Sequence, residues 1–168
     1  MKQKDLEIER KFLIRFPDRS YLESAGDWTQ IEQTYLLSPA EITARVRKRG
    51  KNDSWVYTHT AKTRISDCSR VEIEREIPES EYLELLKTAD PAKRRIEKTR
   101  WCVPFRGNTL EIDLYPFWTD RAILEIELED EQQEFSIPQE IRIIREVTSD
   151  SRYTNSNLAR EIPLDPIK

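Results

Sequence analysis

Glycine is nearly missing from this chain: Gly26, Gly50 and Gly107 are the three in 168 residues. Isolated glycines form neither a phosphate-cradling loop nor a dinucleotide fingerprint, so phosphate bound here must be held by side chains. Histidine is scarcer still. His59 stands alone, which argues against a histidine-dependent nucleophile. The two cysteines, Cys68 and Cys102, make neither a disulfide framework nor a zinc site. They read as ordinary small residues in a reducing cytoplasm. No apolar run approaches the roughly 18 residues of a membrane span. The first residues lack the apolar core of a signal peptide. A cytoplasmic protein with no membrane partner is expected.

An excess of one charge sign is also lacking. Lys plus Arg number 28 and Asp plus Glu 32, for a net charge of -4. A nucleic-acid binder would be clearly basic, so nucleic acid is not an expected partner. There is no repeat of fixed period, no low-complexity segment and no linker. The length suits one domain, residues 1–168, with a sizeable core.

What is abundant is balanced charge, 36% of all residues, laid down with a period of two. Apolar and polar residues alternate in 6–14, 34–37, 42–49, 55–62, 69–77, 98–103, 109–115 and 123–129. Breaks such as Lys51-Asn52-Asp53 and Arg106-Gly107-Asn108 separate several of these candidate strands. Helices are expected at 17–25 and at 151–160. A third, at 78–89, has a proline start, an acidic first turn and Leu83, Leu85 and Leu86 as a partial apolar face.

Each strand sorts its side chains onto two faces. Glu7, Glu9 and Lys11 oppose Leu6, Ile8 and Phe12. Arg45, Arg47 and Arg49 share a face, as do Thr58, Thr60 and Lys62, leaving His59 on the other side. Arg70, Glu72, Glu74 and Glu76 oppose Val71, Ile73 and Ile77. Lys98 pairs with Arg100, Glu111 with Asp113, and Glu125 with Glu127 and Glu129. One such strand is what any wet sheet face produces. Several strands, however, carry neighbours of one sign, which repel unless opposite charge lies between them. A closed barrel with helices outside would turn these rows inward, where charges must be paired or bind ions. Acidic rows would gather metal ions and basic rows a polyanion, the combination of a metal–phosphate site.

The stretch LEIERKFLI at 6–14 carries a Glu-x-Glu-x-Lys pattern. It is followed in order by Arg45-Val46-Arg47, Lys62, Arg70-Val71-Glu72-Ile73-Glu74, Lys98-Thr99-Arg100, Glu111-Ile112-Asp113, Glu125-Ile126-Glu127-Leu128 and the closing EVTSDSRYTNSNLAR at 146–160. Together these resemble the CYTH proteins, or triphosphate tunnel metalloenzymes, over nearly the whole chain. The resemblance implies an α+β, mainly β architecture: an eight-stranded antiparallel closed barrel, or tunnel, with helices packed outside. It also implies an enzyme that acts on triphosphates with divalent metal held by inward carboxylates. Thr63 stands where the family often has glycine. Residues 141–145 replace a Trp-x-Gly-like turn, so the plug and closing helix are left open.

On this reading Lys11, Arg45, Arg47, Lys62 and Arg100 are the catalytic residues, and with Arg70 and Lys98 they bind substrate. Guanidinium groups offer flat bidentate donors to phosphate, and lysines act as point charges. Glu7, Glu9, Glu125 and Glu127 are the expected Mg²⁺ or Mn²⁺ ligands. Glu72, Glu74, Glu111 and Asp113 are second choices, as ligands or as orienters of the basic side chains. The first expected reaction is hydrolysis of inorganic tripolyphosphate to pyrophosphate and phosphate, since a bare polyphosphate needs only charges. Class IV adenylyl cyclase, acting on ATP, is the alternative. Thiamine triphosphatase and a non-enzymatic polyphosphate or nucleotide binder follow. A homodimer is compatible with the family. Trp28, Trp55, Trp101 and Trp118 read as packing residues, and Tyr35 as core or substrate-facing. Arg152, Tyr153 and Asn155 fall in the closing segment, as a lid or a helix cap. Residues 129–134 read as a solvated turn.

Overall fold

The computed structural model describes residues 5–167. Nine strands appear in the order β1 (Leu6–Arg15), β2 (Asp27–Tyr35), β3 (Ile42–Lys51), β4 (Ser54–Arg64), β5 (Ser69–Ile77), β6 (Ile96–Phe105), β7 (Asn108–Leu114), β8 (Arg121–Glu127) and β9 (Ile143–Glu146). Three helices accompany them: α1 (Arg19–Ala25), α2 (Glu79–Leu86) and α3 (Asn155–Leu158). The sheet runs β5-β4-β3-β2-β6-β7-β8-β1, and β5 pairs back onto β1 to close an eight-stranded antiparallel barrel, with β9 added on β1.

Tight turns set the hairpin registers. Asn52 and Asp53 both take positive φ between β3 and β4, as do Arg106 and Gly107 between β6 and β7. Two such residues in succession match the twist of the flanking strands. Strand β1 divides one of its edges. Leu6–Ile8 pair with β5 and Phe12–Ile14 with β9, while its other edge pairs with β8 throughout Glu9–Arg15. Between the two partners, Glu9 N donates to the Cys68 carbonyl and Lys11 N to Thr148 Oγ1, each at 3.0 Å.

The outward faces form the conventional core. Ile8, Phe12, Leu110, Ile112, Leu124 and Ile126 pack beneath Leu22 of α1. Asp18 caps α1, accepting from the backbone N–H of Ser20 and Tyr21. Val46 and Ile77 pack beneath Tyr82 of α2, whose first turn carries Glu79 and Glu81. A third cluster lies inside the barrel. Leu13, Ile96 and Ile123 continue the inner rows of β1, β6 and β8, and meet Tyr115, Trp118, Val147, Tyr153 and Leu158. The chain's closing segment thus plugs one end of the barrel with apolar side chains.

Three expectations need correction. Of the strand expected at 34–37 only Thr34 and Tyr35 are strand, as the end of the longer β2, whose inner face offers Thr29, Ile31, Gln33 and Tyr35 and no charged row; Leu36 makes an isolated bridge to Ala89. Strand β9 was not expected: its four residues are too few for a period, and beside its backbone pairing Glu146 accepts from Arg10 Nε of β1 at 2.9 Å. The helix expected at 151–160 is a 3₁₀ turn at Ser151–Tyr153 followed by α3, which together carry Tyr153 and Leu158 into the plug.

Because Leu158 is fully buried, Leu158→Ala is expected to cost about 2–5 kcal/mol and lower the melting temperature by roughly 5–15 °C. Thermal unfolding checks it; an unchanged transition would mean that the plug is not part of the cooperative fold.

Candidate functional site

The lumen is a cavity of about 1220 Å³. Glu7, Glu9, Lys11, Arg45, Arg47, Lys62, Arg70 and Arg100 line it, together with Glu72, Glu74, Glu111, Glu125 and Glu127. Closure of the barrel brings the expected carboxylate rows together: Glu9 lies directly opposite Glu127 across β1 and β8, and Glu111 opposite Glu125 across β7 and β8. Lys98 and Asp113 do not line the cavity. They sit fully buried behind it, in the layer where the rows turn apolar.

One wall is acidic. Burial and the neighbouring carboxylates of Glu125 and Glu7 push Glu9 up to about 7, although Lys11 and Lys62 pull the other way. Burial, Glu7 and Glu111 raise Glu127 as well. Glu125 behaves oppositely. Burial alone would raise it, but Lys11, Arg100 and Lys98 outweigh that and hold it well below the usual carboxylate range. Lys11 Nζ stands 3.4 Å from Glu125. Lys62 Nζ donates to Glu7 at 2.9 Å, and Arg70 to Glu9 at 3.1 Å.

The facing wall is cationic and short of partners. Arg45 and Arg47 are buried, and among the described residues neither makes an ion pair. Arg45 Nε has no hydrogen-bond partner at all, and Arg47 donates only to the neutral Gln33. Burial, then Arg45 and Arg100, lower Arg47 to about 9. A guanidinium so depressed is a positive charge awaiting a negative one.

Arg100 joins the two walls. Nε and Nη2 donate to the two oxygens of Asp113 at 2.7 and 2.9 Å, and Nη1 donates to Glu111 at 2.7 Å. Lys98 Nζ holds the same Asp113 at 2.7 Å. Burial opposes ionisation of Asp113, yet Arg100 and Lys98 hold it down to about 2. Lys98 itself falls to about 7: burial, Arg100 and Arg47 outweigh the carboxylates of Asp113 and Glu125. For Asp113 the two cations Arg100 and Lys98 outweigh burial and Glu125, whereas for Lys98 burial adds to two neighbouring cations.

Sequence reasoning assigned no role to several lining residues. Arg49 lines the lumen, donating to Thr29 Oγ1 at 2.9 Å. Its place in the Arg45–Arg47 row was the available signal. Thr148, Ser149, Ser151, Thr154, Ser156 and Asn157 line the end nearest the plug. They come from a Ser/Thr/Asn run, most of it inside the helix expected at 151–160, where no period marks a lumen-facing side. Arg152 points elsewhere, pairing with Asp150 and Asp165. His59 is absent from the lining and sits beside Arg75 and Glu81. Residues 129–134 are largely exposed, but Glu131 also accepts from Ser66, Cys68 and Ser69.

The donor set suits a hard divalent cation. All the acids are oxygen ligands, and Glu127 has no ion-pair partner among the described residues. Among the described residues no three of them form a ready cage.

An ion-lined lumen inside a closed antiparallel barrel defines a tunnel-type barrel, unlike those that hold apolar ligands. A CYTH domain spans residues 5–161, and the chain belongs to that family. It is 36% identical to an inorganic triphosphatase of Acetivibrio thermocellus, over 92% of this chain and 93% of the relative. It is 34% identical to an inorganic triphosphatase of Nitrosomonas europaea, over 94% and 99%. A crystal structure of an inorganic triphosphatase, 31% identical, matches with a TM-score of 0.58, covering 94% of this chain and 96% of its own. No helix among the described residues is long and apolar enough to cross a membrane.

Glu9 has its folded pKa raised from 4.5 to about 7. The folded state therefore binds more protons than the unfolded state between these values, and stability falls as pH rises through that window, by on the order of 3 kcal/mol. In chelator, the melting temperature is expected to drop from pH 5 to 7.5, and Glu9→Gln to flatten that slope. A slope unchanged in Glu9→Gln would refute the assignment.

Proposed function

We propose that this protein is a divalent-metal-dependent inorganic triphosphatase that hydrolyses tripolyphosphate to pyrophosphate and phosphate. The observation that carries this reading is the pair Arg45 and Arg47: buried, facing the lumen, and without carboxylate partners, opposite an acidic wall on which Glu127 has no ion-pair partner among the described residues. Neither wall satisfies the other. A metal–polyphosphate complex satisfies both. The relatives named inorganic triphosphatases support it.

Tripolyphosphate carries roughly four to five negative charges near neutral pH, and its transition state spreads charge over the transferred phosphoryl oxygens. Catalysis is then mainly positioning and preorganised electrostatics. Arg45, Arg47 and Arg100 donate to the non-bridging oxygens. The bidentate grip of Asp113 fixes the plane of Arg100, and Lys98 fixes Asp113, so these two buried residues act by positioning. Lys11 and Lys62, tethered to Glu125 and Glu7, set point charges along the phosphate chain, with Arg70 beside Glu9. Glu72 and Glu111 orient Lys62 and Arg100, while Glu74 accepts from Thr60 Oγ1. Glu7, Glu9, Glu125 and Glu127 would hold Mg²⁺ or Mn²⁺ through oxygen donors, and the bound ion would supply charge neutralisation at the phosphates and a more acidic attacking water.

The lumen favours a bare polyphosphate over a nucleotide. Tyr35 is the one aromatic among its described lining residues, and at 3% exposure it presents almost no face for a base to stack on.

Arg47→Ala is expected to lower kcat/KM for tripolyphosphate by about 10²–10³-fold. Its melting temperature should stay within a few degrees, because a repelled cation is removed. Phosphate release with Mg²⁺ or Mn²⁺ measures the first and thermal unfolding the second. Unaltered turnover in Arg47→Ala, or cyclic AMP as the main product from ATP, would overturn the proposal.

A further inference from the structure

Asn155 is half-buried on the lumen wall, in the segment that plugs the barrel. Its Oδ1 accepts from the Tyr115 hydroxyl at 2.6 Å and from Lys98 Nζ at 3.4 Å. Both groups donate to the same atom, which sets the orientation of the amide. Its Nδ2 is thereby turned away from both donors, and it donates to no described residue. Asn157, two residues on, lines the same cavity but spends its Nδ2 on the Ser151 carbonyl at 2.7 Å.

We propose that Asn155 is a substrate-binding residue: its Nδ2–H group donates to a non-bridging oxygen of the triphosphate at the plug end of the lumen. The assignment rests on the triphosphatase reading and adds to it a neutral donor from the closing segment. Two features favour it. Tyr115 belongs to the apolar plug and Lys98 is fully buried, so the amide is held from behind by rigid groups. The Lys98 ammonium also polarises the amide it donates to, which strengthens the N–H on the far side. Lys98 does not line the cavity, yet its charge reaches the substrate through this amide.

Two variants test the assignment, with KM, kcat and melting temperature measured for tripolyphosphate and Mg²⁺. Asn155→Ala removes the donor without adding charge, and KM is expected to rise about 10-fold, with some loss of stability. Asn155→Asp keeps an acceptor for Tyr115 and Lys98, so the melting temperature should hold. Its second oxygen faces the phosphate instead of a donor, and KM should rise about 100-fold, with a smaller change in kcat. A purely structural Asn155 would show a different pattern: Asn155→Ala melts earlier but keeps wild-type KM, and Asn155→Asp has wild-type KM as well. That result overturns the assignment. A wild-type protein inert toward tripolyphosphate overturns the function and this contact together, whereas an active wild type matched by Asn155→Asp overturns the contact alone.

Discussion

The structure depends on one electrostatic mismatch. Barrel closure forces acidic rows from β1, β7 and β8 to face arginines from β3 across a shared lumen, and the two sides do not neutralise each other. Lys62, Arg70 and Arg100 find carboxylates, whereas Arg45 and Arg47 find none. Buried charges left unpaired destabilise a fold. A lumen that keeps two guanidinium groups in that condition is preorganised for an anion and carries the strain until one arrives.

The apolar plug makes this arrangement possible. On β1, Glu7, Glu9 and Lys11 give way to Leu13; on β8, Glu127 and Glu125 give way to Ile123. The ionic rows therefore end against a packed floor. Lys98 and Asp113 lie at that transition, and their depth turns two row members into supports for Arg100.

Much of this was legible because period-two charge alternation reports directly on which side chains share a sheet face. The rows on β1, β3, β5, β7 and β8 lay open to inspection. Depth along a row was not. Leu13, Ile96, Tyr115 and Ile123 marked where each row turns apolar, but only strand register shows that they meet at one level. Strand β2 escaped notice because Thr29, Ile31, Gln33 and Tyr35 mix polar and apolar side chains on one face. Strand β9 is too short for any period. Asn155 lay in the helix expected at 151–160 and could be read as a lid or a cap, because its orientation depends on Lys98 and Tyr115, which are distant in sequence.

The divided edge of β1 also shapes how the chain must assemble. Leu6 pairs with Val71, Glu9 with Glu127 and Phe12 with Glu146. The first strand made is therefore among the last to be fully paired. During synthesis it must wait, with an apolar face and open backbone groups, until nearly the whole polypeptide has emerged. Contacts so far apart along the chain make folding slow and expose intermediates to association. Glu7 and Glu9 ride on that late-closing strand, so the lumen acquires its charge pattern only when folding is nearly complete.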